Sequence, residues 1–128
     1  MFVVFTEVLP YGGGTLVLTG SHRFVGKYVA DTGLDPRPRP VRSHLAFRDP
    51  WLRELWSDPG STAGPDGGRD QRLIAGAEVD GVPLRVVEAT GNAGDVYLMH
   101  SDCFHAVASN ARTTPRIMAT SVVSRTGR

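Results

Sequence analysis

We call residues 91–123, GNAGDVYLMHSDCFHAVASNARTTPRIMATSVV, the organising stretch, because the expected strands and the expected site both depend on it. Its glycines and alternating apolar residues predict a turn followed by three short strands, near residues 95–99, 103–108 and 116–123. The same stretch contains two histidines, a cysteine, two arginines and aspartate. Ligating and reactive side chains on neighbouring strands predict a functional site on a rigid β scaffold.

Composition limits the class of protein. The chain has 128 residues, of which 41% are hydrophobic and 21% charged, as expected for a single globular domain. A net charge of +1 favours neither nucleic acid nor an anionic membrane as partner. Cys103 is the only cysteine, so no intrachain disulfide forms, and the amino terminus resembles neither a signal peptide nor a membrane span. We therefore expect a cytoplasmic protein that acts on a small molecule.

Hydrophobic periodicity predicts a mainly β chain. Strands are expected at 2–9, 73–79 and Val82–Ala89, and at Thr15–Thr19 after a glycine run at 12–14. The Asp80-Gly81 pair predicts a hairpin. Helices are predicted from Ser21 to about Ala30 and from Pro50 to Trp56, with residues 32–43 extended and 57–70 a mobile loop. About seven short strands indicate a sandwich or jelly roll: one domain over 1–128, with a helical and loop insert at about 21–70.

Two segments carry a resemblance to a known family. The first is GGTLVLTGSHR at 13–23. The second is GDVYLMH at 94–100, and it is followed by His105-Ala106, Asn110 and Pro115-Arg116. Together these segments resemble the phytanoyl-CoA dioxygenase family. The resemblance implies a double-stranded β-helix and an oxygenase that uses Fe(II) and 2-oxoglutarate to hydroxylate a small organic substrate. It also implies that His105 is an iron ligand and that Arg116 binds the far carboxylate of 2-oxoglutarate. Arg112 is the lesser candidate for that carboxylate.

The chain departs from the family pattern in one respect. Family members carry a His-x-Asp or His-x-Glu pair upstream of the GSHR segment, and no histidine precedes Ser21 here. Two of the three iron ligands are therefore missing, which predicts an inactive member or a chain that begins late. His100, Asp102 and His105 form an alternative His-x-Asp…His metal site within the chain. The chain also resembles cupins more weakly, through Gly94-Asp95 with His105 and Asn110, and it lacks their upstream histidines as well.

A second functional class follows from the missing ligands. A metal-free β-barrel that binds a small molecule or assembles with another chain fits the same composition. With seven strands in place of eight, one sheet is expected to have an open edge, covered by a second copy of the chain or by the Pro/Arg-rich segment.

The remaining reactive residues have ordinary structural explanations. Cys103 is expected to be a small buried residue without a neighbouring base. His22 is expected to be structural at the start of its helix. The glycine run at 12–14 lacks the Lys-Ser/Thr of a phosphate-binding loop.

Overall fold

A computed structural model of the chain describes residues 1–33, 38–56 and 68–124. These residues form two antiparallel sheets, of three and four strands, together with four helices. The predicted antiparallel sheets are confirmed, but the mainly β composition is wrong, because helical residues outnumber strand residues in the described ranges. The described strands do not close into a barrel, since each sheet ends in two edge strands.

The described strands are β1 Phe2–Val4, β2 Thr15–Thr19, β3 Ala77–Val79, β4 Val82–Ala89, β5 Val96–Tyr97, β6 His105–Val107 and β7 Met118–Thr120. The strands β2 and β4 have the predicted bounds, and the other five are shorter than predicted. The three-stranded sheet has the order β5-β1-β7 and the four-stranded sheet the order β3-β4-β2-β6. Asp80 and Gly81 both have positive φ, 49° and 74°, as a tight hairpin turn between β3 and β4 requires.

Two helices match their predictions. The helix α1, Ser21–Thr32, buries Phe24, Val25 and Tyr28. The helix α3, Pro50–Leu55, begins after Asp49, whose carboxylate accepts hydrogen bonds from the backbone N–H groups of Trp51 and Leu52 at 2.8 and 3.2 Å. Asp at the N-cap and Pro at the first helical position set this start.

The other two helices correct the prediction. The helix α2, Pro38–Arg48, lies where extended chain was expected. Prolines in a first turn lack only N–H groups that have no intrahelical partner, and Val41 and Leu45 are buried one turn apart, so packing outweighs the Pro-rich composition.

The helix α4, Gly68–Ala75, replaces part of the predicted loop and the start of the predicted strand at 73–79. Gly76, with φ 85°, donates its N–H to the carbonyl of Arg72 at 3.0 Å and ends the helix. The strand β3 therefore begins only at Ala77. The predicted mobility of residues 57–67 lies outside the described residues.

The chain divides into two compact units. Unit 1 comprises residues 1–17, 88–101 and those from 105 onward; unit 2 comprises Leu18–Val87 and Asp102–Phe104. The strands β2 and β4 each supply residues to both units, and the single-domain expectation stays a prediction. Among the described helices, none combines the length and apolar character needed to cross a bilayer.

Unit 2 contains a continuous hydrophobic core. Half-buried side chains, including those of Trp51 and Trp56, pack against this core, and the Trp56 ring meets the Phe104 ring edge-on at 5.5 Å. Both tryptophans thus have a structural role in the packing of unit 2. The buried members are Leu18, Phe24, Val25, Tyr28, Val41, Leu45, Leu52, Val79 and Leu84.

Candidate functional site

The turn at residues 91–95 positions the first strand of the organising stretch. The Asp95 carboxylate accepts the backbone N–H of Asn92 at 2.7 Å, and Gly94 adopts φ 97°. The backbone of Gly91 pairs with Val8 through two hydrogen bonds of 2.8 and 3.0 Å. A Cβ on Gly91 would lie 2.7 Å from the Asp95 carboxylate, so a side chain at this position would displace Asp95. Gly94 and Asp95 are therefore turn residues that set the register of β5.

Tyr97 lies at the end of this turn and faces the interior of unit 1. Its hydroxyl donates a hydrogen bond to the carbonyl of Thr90. Burial raises the pKa of the Tyr97 phenol, and the negative charge of Asp95 raises it further. At neutral pH Tyr97 is thus a neutral hydrogen-bond donor.

Side chains from both sheets surround a small cavity in unit 1. In the three-stranded sheet Phe2 is opposite Tyr97 and Thr120, and Val4 is opposite Met118, so these side chains share one face. In the other sheet β2 pairs with β6, placing Thr15 opposite Val107. The cavity has a volume of about 140 Å³, and its walls are mostly apolar. It is lined by Phe2, Thr15, Val17, Ala89, Tyr97, Leu98, Met99 and Met118.

His105 stands beside this cavity on the edge strand β6. It is opposite Val17 in the β2–β6 ladder, and cross-strand partners project on the same face. The His105 ring meets the Phe2 ring edge-on, with centroids 6.0 Å apart and an interplanar angle of 79°. The imidazole is exposed, and it therefore adjoins two wall residues of the cavity while keeping access to solvent.

Arg116 lies two residues before β7 and contacts a wall residue of the same cavity. Its side chain is half-buried. Its guanidinium Nη1 donates to the Met118 sulfur at 3.6 Å. His105 and Arg116 thus each contact a wall residue of one cavity, although neither lines it directly.

Arg112, the lesser candidate, has a structural position. Its Nε donates to the carbonyl of Pro10 at 2.9 Å, and its backbone N–H donates to the Asn110 side chain at 2.8 Å. Asn110 also donates to the carbonyl of Thr114 at 2.9 Å. These hydrogen bonds organise the loop between β6 and β7.

Metal ligands were the second part of the expected site. Within residues 1–33, 38–56 and 68–124, no group of three or more His, Cys, Asp and Glu side chains is placed to hold a metal ion. His100 is exposed and Asp102 is half-buried. The alternative site formed by His100, Asp102 and His105 stays a prediction.

Sequence patterns missed the role of Glu88. Its carboxylate accepts the backbone N–H groups of Tyr11 and Gly14, each at 2.8 Å. A Cβ on Gly14 would lie 2.8 Å from Cγ of Glu88, so the glycine lets the backbone approach the carboxylate. The glycine run at 12–14 is thus held by an internal anion. Glu88 is 74 residues from Gly14, and no local pattern links them.

In unit 2, the GSHR segment contacts residues 102–104. Ser21 is fully buried; its hydroxyl donates to the carbonyl of Leu18 at 2.7 Å and accepts the Phe104 N–H at 2.9 Å. The Cys103 sulfur lies 3.7 Å from Nδ1 of His22. Cys103 is only half-buried and has an imidazole beside it, so the expectation of a buried thiol without a base is wrong.

Comparison of the chain with protein-family models, with curated proteins and with solved structures finds no match.

Proposed function

We propose that the chain is a dioxygenase-like protein of the phytanoyl-CoA dioxygenase type, whose unit 1 supplies part of an Fe(II)/2-oxoglutarate site. In this proposal the two antiparallel sheets are an incomplete double-stranded β-helix, or jelly roll. The observation that carries the proposal is the position of His105 and Arg116. Each contacts the wall of one cavity, and the resemblance implies these two residues as iron ligand and cosubstrate anchor.

Arg116 has the chemistry of a carboxylate anchor. Its guanidinium stays charged at every relevant pH and offers a planar fork of donors that matches a carboxylate. The Met118 thioether is a weak acceptor, so it supports the guanidinium without neutralising its charge. The walls formed by Phe2, Val17 and Met118 are apolar, and an apolar surface lowers the local dielectric and so strengthens an ion pair beside it. We therefore assign the far carboxylate of 2-oxoglutarate to Arg116.

The described residues do not fit a complete iron centre. Non-haem Fe(II) oxygenases hold iron with two histidines and one carboxylate. His105 supplies one imidazole, and no group of three ligating side chains occurs in the described part of the chain. Hydroxylation of a small organic substrate therefore requires two further ligands, and no catalytic step is assigned to this chain alone.

The edges of unit 1 favour a second candidate function, a metal-free small-molecule-binding or assembly module. The edge strand β6 is exposed along its length, and Leu98 and Val107 are 79% and 67% exposed. Apolar side chains beside an unpaired strand edge favour pairing with another chain. In this alternative a second copy of the chain covers the edge, and the cavity binds its ligand without iron.

Ligand titration tests the assignment of Arg116. We expect 2-oxoglutarate to bind the full chain, and Arg116→Gln to weaken the affinity about tenfold or more by removing a charge-assisted ion pair. Arg112→Gln is the matched control, since its side chain donates to a loop carbonyl, and it should bind like the wild type. Calorimetry measures both. Equal affinities for wild type and Arg116→Gln would contradict the proposal.

Co(II) titration separates the two candidate functions. Co(II) binding that is lost in His105→Ala and kept in His44→Ala, a histidine of unit 2, supports the dioxygenase-like site. Binding of 2-oxoglutarate without any Co(II) binding supports the metal-free module.

A further inference from the structure

We infer that unit 2 contains a second binding site, a groove that accepts a small phosphorylated organic anion. The groove lies between the start of α1 and the β3–β4 hairpin and has a volume of about 610 Å³. Its polar lining includes His22, Arg23, Glu78 and Arg85. All of its lining residues belong to unit 2, so this inference is independent of the function proposed for unit 1.

The backbone beneath the groove is closely packed. Gly20, with φ 78°, approaches the hairpin so closely that an added Cβ would lie 2.6 Å from the carbonyl of Pro83. The Thr19 hydroxyl donates to the carbonyl of Arg85 and accepts the Arg85 N–H, both at 3.2 Å. These contacts fix the main chain of Arg85 beside the end of β2. The base of the groove is therefore rigid, as a preformed ligand site requires.

The charges of the groove favour an anion. Arg23 and Arg85 are exposed and contribute two positive charges against the single carboxylate of Glu78. Where the structure describes side chains, neither guanidinium forms an ion pair; the ion pair present joins Arg72 and Glu54. Arginine forks bind phosphate and carboxylate oxygens through paired hydrogen bonds. The two arginines are thus available to an external anion.

The number of donors favours phosphate over carboxylate. Arg23 and Arg85 lie on different elements, and the His22 imidazole lies next to Arg23 on α1. Two guanidinium forks offer donors for all three terminal oxygens of a phosphate monoester, whereas the two oxygens of a carboxylate are matched by one fork. The volume suits a small organic ligand, since such sites measure about 300–1,000 Å³.

Calorimetric titration of the full chain with glycerol 3-phosphate tests this site. We expect binding at low ionic strength that weakens as salt is added. Arg23→Gln and Arg85→Gln should each lower the affinity about tenfold, because each removes a charge-assisted contact. Arg42→Gln, an exposed arginine of α2 outside the groove, is the control and should bind like the wild type.

Two further measurements decide the outcome. Circular dichroism identifies folded variants, and if Arg85→Gln is unfolded the result for Arg23→Gln decides. Titration with succinate, a dicarboxylate without phosphate, should give at least about tenfold weaker binding. Unchanged affinity in both arginine variants would overturn the site, and succinate binding as tight as that of glycerol 3-phosphate would overturn the assignment to phosphate.

Discussion

Different interactions stabilise the two units of this chain. Unit 2 buries ten large hydrophobic side chains, most of them in one cluster. Among the described residues of unit 1, the buried hydrophobic side chains are those of Val4 and Val8. Order in unit 1 comes instead from backbone pairing, tight turns and the Glu88 carboxylate. Hydrophobic burial therefore stabilises unit 2, while the residues with candidate oxygenase chemistry lie in a unit stabilised mainly by hydrogen bonds.

The largest expected effect tests this difference directly. Leu52 is 1% exposed within the core of unit 2, and Leu52→Ala should lower the free energy of unfolding by about 2–5 kcal/mol through lost burial and a cavity. Leu98→Ala in unit 1, at 79% exposure, is the matched control and should change it by about 0.5 kcal/mol or less. Urea unfolding measures both variants. Equal losses would show that unit 1 also depends on apolar burial.

An intermediate effect is expected for the hydrogen bonds of unit 1. Glu88→Gln removes the charge that accepts two backbone N–H groups, and should cost about 1.5–3 kcal/mol. Amide hydrogen exchange at Tyr11 and Gly14 should become faster. Glu7→Gln, an exposed carboxylate of the same unit, is the control. Unchanged exchange at both amides would show that Glu88 does not stabilise unit 1.

The smallest effect is a shift in ionisation within unit 1. The folded-state pKa of Tyr97 is raised above its ordinary value of about 10, first by burial and then by Asp95. The stabilisation from the neutral phenol is therefore fully present below about pH 10, and it is lost as the pH rises through the folded-state pKa of Tyr97.

Ultraviolet absorbance measures this ionisation. The difference in phenolate absorbance between the wild type and Tyr97→Phe should have its midpoint above about pH 10. Asp95→Asn should lower this midpoint part of the way towards that pH. A midpoint at or below that pH would indicate that Tyr97 is open to solvent, and that the cavity wall it helps to form is not closed.

Local sequence signals predicted much of unit 2. The Asp49-Pro50 pair set the start of α3, Asp80-Gly81 set the hairpin, and apolar spacing set α1. The helix α2 was missed because prolines in its first turn resemble extended chain, while the burial of Val41 and Leu45 depends on tertiary packing.

The sites were predictable only in part. Motifs singled out His105 and Arg116, and the structure shows each contacting the wall of one cavity. The hydrogen bond between Gly14 and Glu88 joins residues 74 positions apart. The contact between Cys103 and His22 joins residues 81 positions apart. Hydrophobic periodicity carries information over one or two turns of chain, so it cannot reveal contacts at that separation.

The glycine run at 12–14 illustrates what an internal anion does to a loop. The N–H groups of Gly14 and of Tyr11, which precedes the run, donate to the Glu88 carboxylate of the same chain. A tethered group acts at an effective concentration in the millimolar range or above, so a dissolved phosphate would have to compete with it at comparable levels. The Glu88 carboxylate therefore occupies backbone donors that a free anion would need, which disfavours anion binding at this loop.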